Sequence, residues 1–100
     1  MMLNDPALTP FKTLLELGIR FKEIRLRLNK TQKEISRETA VSIPTIYKFE
    51  NGKLTDITIS VLFKLLRSIG MSKNFLDLIP ELPESPYMYK SDRKKQRARK

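Results

Sequence analysis

The densest chemistry in this chain lies at its end. Residues 90–100 carry Lys90, Arg93, Lys94, Lys95, Arg97, Arg99 and Lys100 against one acid, Asp92, and so hold +6 of the chain's formal net charge of +9. Cations clustered this way attract polyanions, and nucleic acid is the commonest of them. The run Arg93 to Lys100 has three readings: an arm that grips phosphates whatever the sequence, an arm that inserts arginines into the minor groove, or a solvated end that aids solubility. The chemistry on offer is binding rather than bond-making. The chain contains no cysteine and no histidine, which removes thiol nucleophiles, Ser-His-Asp triads, disulfides and thiolate or imidazole metal sites together. No cofactor, metal or catalytic residue is expected, and 100 residues leave no room for a second, catalytic domain beside one core.

The elements that must position any binding surface are helical. Thr9-Pro10 reads as an N-cap followed by proline at the first helical position. Leu14, Leu17, Phe21, Ile24 and Leu28 then recur at steps of three and four as the apolar stripe of an amphipathic helix; Gly18 is a point where it could split in two, and Asn29 is expected to stop it. Thr31-x-x-Glu34 is a capping box that opens a second helix with Ile35, Ser36 and Thr39 inward. Ala40-Val41-Ser42 is a short connection, Ser42 caps a third helix, and Pro44 falls in its first turn. Ile46 and Phe49 point that helix's apolar side at the core, Thr45 and Lys48 point away from it, and Asn51-Gly52 ends it.

A fourth helix, apolar on most of its circumference, runs through Ile59, Leu62, Phe63, Leu65, Leu66 and Ile69 to Gly70. Ser72 is expected to cap a short fifth helix through Phe75, Leu76, Leu78 and Ile79. Pro80, Pro83 and Pro86 forbid regular structure beyond it. No stretch alternates with period two, so the predicted fold is all-α, a compact bundle of about five short helices with a disordered basic tail. The boundaries read as an N-terminal extension over 1–12, a helical domain over 13–80 and a proline-spaced, flexible tail over 81–100. No apolar run reaches the length of a membrane span and no signal pattern opens the chain, which predicts a cytoplasmic, nucleoid-associated protein without a membrane partner.

The run Lys30-Thr31-Gln32-Lys33-Glu34-Ile35, continued by Val41-Ser42-Ile43-Pro44-Thr45-Ile46-Tyr47-Lys48-Phe49-Glu50-Asn51-Gly52-Lys53, resembles the Xre family, the lambda-repressor and Cro type of helix-turn-helix. Leu17-Gly18 with Arg20, Glu23 and Arg25 is similar to that family's first helix, and Ile59 to Gly70 to its leucine-rich fourth. The resemblance covers about residues 14–80. Three positions depart from the common pattern: Ser36 stands where alanine is usual, Ala40 where glycine often makes the turn, and Asn29 where glycine is common.

The resemblance implies a recognition helix laid into the major groove of duplex DNA. Ser42, Ile43, Pro44, Thr45 and Lys48 would then read bases: Lys48 donating to guanine O6 or N7, Thr45 and Ile43 touching a thymine methyl or base edge. Thr31, Gln32, Tyr47, Asn51 and Lys53 would contact phosphate, Gln32 at a helix N-terminus whose amides and dipole already favour an anion. Arg93, Lys94, Lys95, Arg97 and Arg99 would add phosphate contacts from the tail.

The function expected is a sequence-specific transcriptional repressor binding palindromic operators as a homodimer. Phe75, Leu76 and Ile79 or the apolar N-terminal segment would supply the dimer contacts. The proline-spaced, basic ending also resembles antitoxins encoded beside HipA-type kinase toxins, which repress their own operons and bind the toxin protein. Tyr87-Met88-Tyr89, an apolar patch in a polar tail, would dock onto such a partner or onto the dimer mate.

Overall fold

A computed structural model of the chain describes residues 8–83. The expectations for Tyr87-Met88-Tyr89 and for Arg93, Lys94, Lys95, Arg97 and Arg99 lie outside the described residues. Five helices follow one another: α1 (Pro10–Arg27), α2 (Gln32–Thr39), α3 (Ile43–Glu50), α4 (Ile59–Ser68) and α5 (Ser72–Leu76), with no strand among the described residues. This is the all-α, five-helix fold that the period of three and four predicts.

Hydroxyl caps set the starts. The Thr9 hydroxyl accepts the Lys12 amide ahead of Pro10, and Thr58 caps α4 in the same way through Val61. At α2 the capping box is complete: Thr31 Oγ1 accepts the Glu34 amide at 3.0 Å while the Glu34 carboxylate accepts the Thr31 amide at 2.8 Å. Left-handed residues set the stops. Asn29 has φ 57° and Gly52 φ 68°, and in each case the next amide turns back onto the helix, Lys30 to the Arg25 carbonyl and Lys53 to the Lys48 carbonyl. The fifth helix departs from expectation. Ser72 does not cap it; Met71 holds the cap position without a side-chain bond, and the helix ends at Leu76, before Leu78 and Ile79.

The core is Leu14, Phe21, Ile35, Val41, Ile46, Phe49, Leu65 and Ile69. Phe21 and Phe49 meet with ring centroids 5.4 Å apart, tilted at 52°, and a fully buried phenylalanine is worth about 1.5–3 kcal/mol of transfer free energy. The buried stripe of α1 is Leu14, Gly18, Phe21 and Arg25, rotated from the one read off the leucines. Leu17 and Ile24 flank it half-buried and Leu28 is exposed.

Gly18 does not split α1, which is continuous over 18 residues. It is the point where α1 crosses α3: a methyl group there would collide with the Phe49 carbonyl and press on the Glu50 Cα. Removing the side chain lets two backbones approach, and that approach sets how deeply α3 sits. α1 packs on α3, α2 on both α3 and α4, and α5 on α4. With so short a neighbour, α4 is only partly covered. Leu65 is buried, whereas Leu62, Phe63 and Leu66 are half-buried and Ile59 is exposed.

Candidate nucleic-acid interface

The bend between α2 and α3 rests on three residues. Ala40 takes the left-handed conformation, φ 62° and ψ 17°, and its amide closes on the Ser36 carbonyl. Thr39, buried, donates its hydroxyl to the Ile35 carbonyl at 2.7 Å and accepts the Val41 amide at 3.1 Å. Val41 then drops into the core. Ala40 is exposed, so its methyl meets no steric obstacle, although the backbone conformation itself disfavours any L side chain by about 1–2 kcal/mol. The residue standing where glycine is usual thus makes the same turn under strain.

α3 is held from below by Ile46 and Phe49, at 0 % and 1 % exposure, and at its C-terminal end by a charge pair. Arg25 Nε donates to Glu50 Oε2 at 2.7 Å and Arg25 Nη2 donates to Glu50 Oε1 at 2.8 Å. A third guanidinium bond reaches the Lys30 carbonyl at 2.8 Å. Gln32 Nε2 donates to Glu50 Oε1 at 3.0 Å. The first residue of α2 is therefore joined to the last residue of α3 through a buried carboxylate, and both to α1 through Arg25. A buried ion pair of this sort holds register because any displacement strands a charge. Lys30 adds a second tie, its ammonium 3.0 Å from the Glu38 carboxylate and 2.9 Å from the Ser68 carbonyl at the end of α4.

Two groups of candidate contacts result, at opposite ends of α3. At its start Ser42, Ile43 and Pro44 are exposed and Thr45 is half-buried; Tyr47 and Lys48 are exposed further along. Ser42 Oγ caps the helix by accepting the Thr45 amide, and the two hydroxyl oxygens lie 2.8 Å apart in a hydrogen bond to each other. At the far end the Gln32–Glu50 bond brings the start of α2, with Thr31 and Gln32, beside Asn51. Asn51 Nδ2 donates to the Tyr47 carbonyl at 2.8 Å, closing α3, and Lys53 is exposed two residues on. Gln32 spends one amide hydrogen on Glu50 and keeps the other. The Thr31 amide is consumed by the capping box, so from Thr31 only the hydroxyl hydrogen remains for a ligand.

Arg25 and Glu50 enter the sequence reading only as parts of the family pattern, with no contact assigned to either. A partial signal exists in the spacing, Arg25 standing four residues after Phe21; that it lies on the buried stripe is seen only in the structure, and a charged residue at a core position demands an opposite partner.

The helix-turn-helix family model matches residues 21–76, from the middle of α1 to the end of α5, and the chain belongs to this family, in its Xre or lambda-repressor type. Its members are DNA-binding transcription regulators, and that is the class of this protein. No curated protein and no solved structure matches the chain. Among the described residues, no helix is long and apolar enough to cross a membrane.

Proposed function

We propose that the protein is a transcriptional repressor that binds a palindromic operator as a homodimer, each copy placing α3 in the major groove. The observation that carries the reading is the two-sided character of α3. Ile46, Phe49 and Glu50 are buried while Ile43, Pro44, Tyr47 and Lys48 face outward, the division a helix needs to be anchored below and read bases above. Ser42, Ile43, Pro44, Thr45 and Lys48 are the base-reading set. Thr31, Gln32, Tyr47, Asn51 and Lys53 position the domain on phosphates, with Arg93, Lys94, Lys95, Arg97 and Arg99 as an affinity arm.

Support for a second copy comes from α5 and the residues after it. Leu76, Leu78, Ile79 and Leu82 are 83 %, 68 %, 85 % and 67 % exposed in and beyond α5, and Leu78 lines an apolar cleft between α1, α4 and α5 together with Leu17, Phe21, Leu62, Leu66 and Phe75. Apolar surface gathered in one place marks an interaction site more often than scattered side chains do. The basic, proline-spaced ending supports a second reading, an antitoxin that also binds a HipA-type toxin protein. The two readings share the DNA chemistry and differ in whether a toxin protein binds, which a neighbouring kinase-like gene would decide.

The test is selection of binding sites from random duplex DNA at physiological salt, with the full chain and with a version ending at Leu82. An enriched palindrome from both supports the repressor reading and its placement of specificity between Gln32 and Lys53. Absence of enrichment from either overturns it.

A further inference from the structure

We infer that α3 recognises the C5-methyl groups of pyrimidines in the major groove, so that its operator half-site is read largely through thymine methyls, and a 5-methylcytosine at the same step is accepted in thymine's place. This deepens the major-groove reading above and rests on it.

The inference starts from which donors α3 has left. Between Ser42 and Glu50 there is no Asn, Gln or Arg, the side chains that pair bidentately with adenine or guanine edges. Ser42 and Thr45 hold each other's hydroxyls at 2.8 Å, and Ser42 also accepts the Thr45 amide; the pair can offer a base at most one hydroxyl hydrogen. Asn51 spends an amide hydrogen closing the helix on the Tyr47 carbonyl. The charged donor on the outward face is Lys48; the exposed Tyr47 hydroxyl, the other free donor there, belongs to the phosphate-contacting set.

What the first turn presents instead is hydrocarbon. Ile43 is 41 % exposed and belongs neither to the core nor to the hydrophobic side chains packed against it, and Pro44, exposed, follows it. Residues at the start of a recognition helix are the ones that reach base edges. The apolar group that an ordinary base pair shows in the major groove is the thymine methyl. Cytosine methylated at C5 carries the same methyl at the same ring position, so a hydrocarbon contact at that step treats the two alike. Burying one methyl is worth about fourfold in affinity.

The experiment uses the full chain and the operator enriched by selection. Thymines are replaced one at a time by deoxyuridine, and each sensitive T·A pair is also replaced by 5-methylcytosine·G and by C·G, with competition binding read by fluorescence anisotropy. The expected result is a loss of about fourfold on deoxyuridine substitution at one or two steps per half-site, and binding about fourfold tighter to 5-methylcytosine·G than to C·G there. At the step under Ile43 both ratios fall to about one in Ile43→Ala, a variant of an exposed residue whose helix start is held by Ser42. Deoxyuridine duplexes that all bind like the parent, or ratios unchanged in both Ile43→Ala and Pro44→Ala, overturn the inference while leaving the repressor reading intact. If no operator is enriched, both fall.

Discussion

Arg25 in α1 and Glu50 at the end of α3 form a doubly hydrogen-bonded ion pair inside the protein, with side-chain exposures of 7 % and 0 %. Its bonds reach across 25 residues of sequence to hold the crossing of α1 on α3, and Gln32 joins the same carboxylate from α2. Glu50→Ala leaves the guanidinium buried without its counter-charge and is expected to cost about 3–5 kcal/mol in urea unfolding. Arg25→Met with Glu50→Leu removes both charges and fills their space, and should be distinctly more stable than Glu50→Ala. A double variant as unstable as the two single changes added together would show that the pair contributes by something other than mutual compensation.

Gly18→Ala should weaken the same crossing by a different route. The added methyl meets the Phe49 carbonyl, a backbone group that cannot rotate aside, so α1 and α3 must separate. The expected loss is about 3 kcal/mol, at the upper end of overpacking, with operator affinity falling because α3 is displaced. A melting temperature equal to wild type would mean the helices slide apart without strain.

Ala40→Gly should act in the opposite sense. The left-handed backbone at Ala40 disfavours a side chain by about 1–2 kcal/mol, and glycine's extra freedom in the unfolded chain returns about 0.5–1 kcal/mol of that. A net gain of about 0.5–1 kcal/mol in chemical denaturation follows, with the operator sequence unchanged.

Lys48→Ala is expected to relax specificity at one base step by about 1–3 kcal/mol while discrimination at the other steps persists. Binding measured against a panel of single-base operator variants separates this from a phosphate role, which would weaken every sequence equally.

Ending the chain at Leu82 removes Lys90, Arg93, Lys94, Lys95, Arg97, Arg99 and Lys100. If these side chains bind phosphate, the slope of log affinity against log salt should become shallower by about 0.9 for each phosphate that is no longer neutralised, with the preferred sequence kept. An unchanged slope would identify the run as a solvated end.

Much of this protein could be read one residue at a time. Helix starts and stops are local events: Thr9, Thr31 and Ser42 need only the amides within three residues of them, and Asn29, Gly52 and Gly70 need only a tolerance for positive φ. The helix-turn-helix was legible for the same reason, its pattern being contained between Thr31 and Lys53. The start of the fifth helix is not legible in this way, because Ser72 has a capping side chain but lies inside the helix and Met71 holds the cap position, and propensity alone does not say which of two adjacent residues turns the chain.

What only the tertiary structure decided depends on residues far apart in sequence. Amphipathic spacing locates a stripe to within part of a turn. The actual inward line of α1, through Gly18 and Arg25, was chosen by what α3 offers opposite: a bare carbonyl at Phe49 that excludes any side chain, and a carboxylate at Glu50 that requires a cation. Burial makes both demands absolute, because an interior that excludes water has no other way to accommodate a collision or a charge. Sequence by itself determined which helices form and which short segment faces outward; the packing of α1 on α3 determined how that segment is held.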